Sequence, residues 1–323
     1  MVGKYAIRIY DSKVSYYLEI QRKITILRGD SATGKTTLIN MLLDYSRLGS
    51  GSGVTVECDV KCTTFSFTDE MQLQILQNMH GYILFFDENN PFIRTQVFAE
   101  NVIKSDNYFV IICRDDLPQL PYSIEEIYGL RESRDTQKHR KASRTYNELY
   151  KLYNLRYDHV IKPEIVITED SNAGNECFSN IFDVECYSAK GKSNITKELA
   201  KYKSQKKDVL VIVDGAAFGS EMQQFIRKAE NYGSKCVLYA PESFEYLILV
   251  SGIVRADNDI IENTYNYSDA KDYSSWEQYY TAYLTDITKE TVLRYSKSKL
   301  NEVYLANGNI EKIKSQMPEQ IEV

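Results

Sequence analysis

The stretch GDSATGKT, Gly29 to Thr36, interrupts an otherwise regular pattern: the apolar run ITIL ends just before it and an apolar helical pattern resumes at Leu38. It satisfies G-x-x-x-x-G-K-[ST] in full, between a strand-like and a helix-like segment. Glycines at its two ends let the backbone turn so that successive N–H groups point inward, and the helix that follows adds its positive end. Such a loop suits phosphate. Gly29, Asp30, Ser31, Ala32, Thr33, Gly34, Lys35, Thr36 and Thr37 form the expected cradle, with Lys35 neutralising phosphate charge and the Thr36 hydroxyl ligating Mg²⁺.

A magnesium–nucleotide site also needs an acid at the end of a nearby strand. YILFFDE supplies it: Asp87 is expected to hold the Mg²⁺ shell and Glu88 to polarise an attacking water. A later apolar run, YFVIICR, ends in Arg114, which could sense the terminal phosphate or be an ordinary strand-end arginine. LPQLPYS, which follows, carries two prolines that force an extended segment.

Apolar runs alternate with helical patterns through the first half, including helices near DEMQLQILQNM and Arg94 to Lys104. Runs apolar on both faces and separated by helices predict a parallel sheet covered on both sides. The N-terminal YAIRIY and SYYLEIQ read as a hairpin. RTYNELYKLY reads as helical. A second alternation follows: EIVITED, NECFSNIF, VECYSA, NITKELAKY, DVLVIVDG, SEMQQFIRKAENY, KCVLYA. The expected domains are 1–155 and 160–323, the latter ending in a mainly helical, Tyr-rich extension.

The loop, the DE pair and the leading hairpin resemble P-loop NTPases, in particular the heads of ABC-type and OLD-family ATPases. No L-S-G-G-Q-like signature lies between the loop and Asp87, and no N-K-x-D guanine-reading motif occurs. The resemblance implies ATP with Mg²⁺ as ligands and a P-loop NTPase parallel-sheet domain. In the second half, Glu169 and Asp170 end one strand-like run, Asp214 ends another, and Glu221 follows on the next helix. This order resembles the TOPRIM domain, a small α/β unit in which a Glu and a D-x-D pair gather Mg²⁺. Glu169 and Asp214 are the expected ligands of a second Mg²⁺, but Ala216 stands where the pattern calls for an acid. An ATPase head followed by a TOPRIM-like domain resembles the arrangement of OLD-family proteins, several of which act in phage defence or on mobile elements.

Three functions stay open on these residues: an ATPase whose TOPRIM-like domain regulates it or binds a partner, an ATP-controlled metal-dependent nuclease, and a nucleotide sensor that barely hydrolyses. The net charge of −6 gives no support for a general nucleic-acid surface. One local basic run, Arg131 to Arg144, reads as solvated surface, with a phosphate-contacting loop as the alternative. The six Cys residues show no pairing pattern, and Cys58 and Cys62 have no second pair at finger-like spacing, so a reducing, cytoplasmic setting without zinc is expected. No apolar run approaches membrane-spanning length. Histidines 80, 139 and 159 have no catalytic spacing. Twenty-six Tyr residues are unusual, and part of the Tyr-rich extension is expected to pack on the first domain or in a homodimer or partner interface.

Overall fold

A computed structural model describes residues 1–29, 34–64, 70–139, 145–155 and 157–323. The chain divides into two compact units: Met1–Tyr153 with Tyr265–Ser275, and Asn154–Thr264 with Trp276–Val323.

The first unit holds strands β1 (Tyr5–Tyr10), β2 (Val14–Ile20), β3 (Ile24–Leu27), β4 (Thr55–Glu57), β5 (Cys62–Thr64), β6 (Ile83–Phe86), β7 (Tyr108–Ile112), β8 (Ile127–Glu132) and β9 (Thr145–Lys151), with helices α1 (Lys35–Leu48), α2 (Glu70–Gln77) and α3 (Gln96–Lys104). The strands form one sheet in the order β4-β1-β2-β9-β8-β3-β7-β6-β5. Five consecutive strands, β8 to β5 in that order, pair in parallel. The other pairings are mixed: β1 runs antiparallel to β2 and β4, β8 antiparallel to β9, and β2 parallel to β9. The sheet is therefore mixed rather than wholly parallel.

The two edges of this sheet come together. Laid flat, nine strands at about 4.8 Å spacing would hold β4 and β5 about 38 Å apart. The connection from Glu57 to Cys62 reaches at most about 18 Å. The sheet must curl, and α1 explains around what: it packs against β5 at one edge and against β4 and β1 at the other. Leu38 and Leu42 of α1 are fully buried among Ile7, Ile9, Leu18, Leu27, Phe85 and Val110. Burying each such side chain stabilises the fold by about 1.5–3 kcal/mol.

RTYNELYKLY is a strand, not a helix. Tyr146, Glu148 and Tyr150 alternate with Asn147 and Leu149, and the segment is rich in β-favouring Tyr and Thr. As β9 it joins β8 to β2 and completes two ladders, a gain no isolated helix could match. The stretch Tyr265–Ser275 belongs to this unit. Ala270 lies in the core cluster, its N–H donates to the Met1 carbonyl at 2.9 Å, and its carbonyl accepts from Lys23 Nζ at 2.6 Å.

The second unit has a parallel four-stranded sheet in the order β11-β10-β12-β13, with β10 Ile165–Thr168, β11 Glu185–Ser188, β12 Val209–Ile212 and β13 Cys236–Tyr239. β10 and β12 are buried along their whole length. Helices α4 (Ala173–Ile181), α5 (Ile195–Ala200) and α6 (Met222–Ala229) connect the strands. The chain then continues through α7 (Phe244–Val250), α8 (Asn258–Glu262), α9 (Trp276–Thr288) and α10 (Asn307–Lys314). Among the described residues, no helix is long and apolar enough to cross a membrane.

Candidate functional site

In the first unit the strand order sets the geometry. β7 lies between β3 and β6, and all three run in parallel. Leu27 is level with Ile112, and Phe86 is level with Ile111. Asp87 is thus level with the last residues of β3 and β7, two strand spacings, or about 10 Å, from the end of β3. Gly29, Arg114 and the Asp87–Glu88 pair follow the carboxyl ends of the parallel strands β3, β7 and β6 of the mixed sheet.

Asp30, Ser31, Ala32 and Thr33 lie outside the described residues. Both flanking glycines have left-handed backbones, with φ of 132° at Gly29 and 86° at Gly34. A side chain at Gly34 would put its Cβ 2.8 Å from the Tyr16 hydroxyl, which donates to the Gly34 carbonyl at 2.8 Å. Burial pushes that phenol up to about 12, so it remains a donor. α1 begins directly after Gly34 with no side-chain cap and no acid in its first turn, which leaves its positive end suited to an anion. Lys35 is buried and its Nζ donates to the Gly29 carbonyl at 3.0 Å, while Thr36 and Thr37 are exposed. The uncapped start of α1 and Lys35 are chemically suited to a phosphate group.

Beside them, Arg114 Nε lies 3.1 Å from Glu88 Oε2. Arg94 Nη1 donates to the Glu88 carbonyl at 3.1 Å, and Asn89 Nδ2 donates to Asp87 Oδ2 at 3.3 Å. Arg28, buried at the end of β3, pairs with Asp116 at 2.8 Å and so fastens the turn after β7 to the strand that feeds the loop. Sequence reasoning missed Arg94 and Arg28, because neither has a local pattern that separates it from a surface cation.

No family model, curated protein or solved structure matches this chain.

The second unit brings Glu169 and Asp214 to adjacent strand ends: Glu169 Oε2 accepts the Asp214 N–H at 3.2 Å, and Asp214 Oδ1 accepts the Phe244 N–H at 3.1 Å. Asp170 caps α4, accepting from Gly174 and Asn175. Burial, then the charge of Glu277, pushes Glu169 up to about 7. Burial raises Asp214 as well, followed by Glu277, Glu169 and Glu245. Ala216 is buried, and its N–H donates to the Glu242 carbonyl at 3.0 Å. Lys192 donates to the Ala217 carbonyl at 3.0 Å and Ser220 Oγ at 2.8 Å.

Among the described residues, no group of three or more His, Cys, Asp or Glu side chains has the arrangement of a metal centre. Glu169 and Asp214, the expected ligands of a second Mg²⁺, stand as two carboxylates at neighbouring strand ends. Sequence reasoning also missed Lys297, which pairs with Glu277, and Tyr295, which donates to Glu245. They follow the second alternation on helices and turns with no motif of their own.

Elsewhere, Arg131 pairs with Glu148 at 3.0 Å on the β8–β9 ladder, while residues 140–144 of the basic run lie outside the described residues. His139 is buried with Nδ1 2.9 Å from Ser15 Oγ, and His80 pairs with Asp106 at 3.1 Å.

Proposed function

We propose that the chain is a Mg²⁺-dependent P-loop ATPase whose second, TOPRIM-like unit acts as a regulatory or partner-binding module. The supporting observation is the strand order β3-β7-β6, which sets Lys35 and Thr36, Arg114, and Asp87 with Glu88 along one sheet edge. Gly29 to Thr37 hold the phosphates through backbone N–H groups and Lys35. Thr36 and Asp87 hold Mg²⁺, which supplies charge neutralisation on the phosphates when bound. Glu88 orients the attacking water and accepts its proton, and Arg114, its ion-pair partner, provides positive charge beside the reacting phosphate.

Equilibrium binding of a fluorescent ATP analogue tests this reading. Wild type should bind it in the presence of Mg²⁺, and Lys35→Ala should bind at least about tenfold more weakly, as expected on losing a charge-assisted contact. Equal affinity in the two proteins, or no binding by wild type, would refute it.

A non-hydrolysing sensor is the second reading, because Glu88 is already engaged by Arg114 and Arg94. Phosphate release separates the two readings: a sensor binds the analogue but turns over little ATP.

A further inference from the structure

A cavity of about 410 Å³ lies at the amino ends of β6 and β7. Its walls are the C-terminal turns of α2 and α3, the segments that lead into the two strands, and Lys271. Asp87, Glu88 and Arg114 follow the opposite ends of the same strands. At least the length of β6, about 13 Å, therefore separates the cavity from them.

The walls are tied together. Buried Asn107 accepts the Tyr82 N–H at 2.8 Å and donates through Nδ2 to the Met79 carbonyl at 2.7 Å and Ser105 Oγ at 2.8 Å. Gln77 Nε2 donates to Asn101 Oδ1 at 2.9 Å, which joins the end of α2 to α3. A preformed concavity of this size falls in the range of small-molecule sites.

Its chemistry favours an anion. The C-terminal ends of two helices would by themselves draw a cation, but their carbonyls are already engaged. Ile103 of α3 accepts from Lys23 Nζ at 2.6 Å, and Ile75 and Leu76 of α2 accept the N–H groups of Asn78 and Met79, each at 3.1 Å. The one acid of the lining, Asp106, stands 3.1 Å from His80 Nδ1. Lys104 and Lys271 reach the cavity from separate segments, and neither is held in an ion pair among the described residues. Two ammonium groups match a dianion better than a single carboxylate. Beside them, Leu76 and the thioether of Met79 offer apolar surface of the kind that packs on an aromatic ring.

We propose that this cavity is a second ligand site, one that binds a small phosphate monoester carrying a flat aromatic body, of the nucleoside monophosphate class. Lys104 and Lys271 receive the phosphate, and Leu76 and Met79 receive the ring. None of these residues belongs to the Lys35 loop or its partners, so this site and the ATP reading can fail independently.

The test is calorimetric titration of full-length protein with AMP in EDTA, comparing wild type, Lys104→Ala/Lys271→Ala and Lys35→Ala. Wild type should bind AMP saturably, and the double lysine variant should bind at least about tenfold more weakly, while Lys35→Ala stays within about threefold. Inorganic phosphate should bind wild type at least about tenfold more weakly than AMP, because it lacks the ring. As a readout that needs no variant, AMP should protect Lys104 and Lys271 of wild type from acetylation, read by peptide mass spectrometry, and leave exposed Lys312 unprotected.

No saturable binding at millimolar AMP would overturn the proposal, as would equal affinity in wild type and the double lysine variant. Loss of binding in Lys35→Ala alone would place AMP at the phosphate loop and overturn it too, and phosphate binding as tightly as AMP would remove the aromatic body. Should the double variant unfold, the acetylation pattern decides: protection of Lys104 and Lys271 supports the site, and unchanged labelling overturns it.

Discussion

Arg114 Nε and Glu88 Oε2 stand 3.1 Å apart, an ion pair bridging the carboxyl ends of the neighbouring strands β7 and β6. On the proposed reading, the pair joins the cation that contacts the terminal phosphate to the carboxylate that activates water. Replacing Glu88 by Gln keeps the shape and removes the base. Phosphate release should fall by about 10²–10⁴ while analogue binding stays within a few-fold of wild type. Unchanged turnover in Glu88→Gln would remove Glu88 from the chemistry.

Gly34 meets two constraints at once, a φ of 86° and a Tyr16 hydroxyl 2.8 Å from any Cβ placed there. Gly34→Ala should destabilise the first unit by about 1–3 kcal/mol and weaken nucleotide binding, since the strain falls at the start of α1. Adding Tyr16→Phe relieves the contact but not the dihedral strain, so the double variant should regain only part of the loss. Denaturant melts of the three proteins measure this, and full recovery would show that the contact alone matters.

The Glu169 carboxyl, pushed up to about 7 from an ordinary 4.5, makes the folded state the tighter proton binder between those values. Its contribution to stability is therefore full below about pH 4.5 and is lost as pH rises through about 7. The size is on the order of 1–3 kcal/mol. Asp214 shifts in the same direction and adds to the slope. Urea melts followed by Trp276 fluorescence should show wild type losing stability from pH 5 to pH 8, with a shallower slope in Glu169→Gln. Parallel slopes would contradict the shift.

Cys58 and Cys62 follow β4 and open β5, at the two edges of the curled sheet. The hydrogen bond from Cys62 pulls the Cys58 thiol down to about 7, against the opposing effect of burial. Burial pushes Cys113 up to about 11 and Cys177 and Cys236 up to about 12. Iodoacetamide at pH 7 should label Cys58 before these three, with a rate midpoint near pH 7 that moves upward in Cys62→Ala. Peptide mass spectrometry reads the order. Labelling of Cys113 first would count against the hydrogen bond.

The elements with strong local patterns were legible in the chain itself. The continuous apolar runs at Ile24–Leu27, Ile83–Phe86, Tyr108–Ile112, Ile165–Thr168 and Val209–Ile212 are all buried strands. Their ends place Asp87, Glu88, Arg114, Glu169 and Asp214 by adjacency alone. Periodicity failed at Thr145–Lys151, where alternation over seven residues competes with a helical reading and only the pairing partners β8 and β2 decide.

The sequence by itself carried the G-x-x-x-x-G-K-T pattern at Gly29 to Thr36 and the acids that follow the buried strands, because such patterns and strand burial act over a few residues. Tertiary structure alone decided that β7 would separate β3 from β6 and that the sheet would curl around α1. It also decided that Ala270 would join the first core, that Lys297 would pair with Glu277, and that Tyr295 would donate to Glu245. These are pairings between residues far apart in the chain. They depend on which apolar faces bury one another and which charges offset one another once folded, and no local window carries that information.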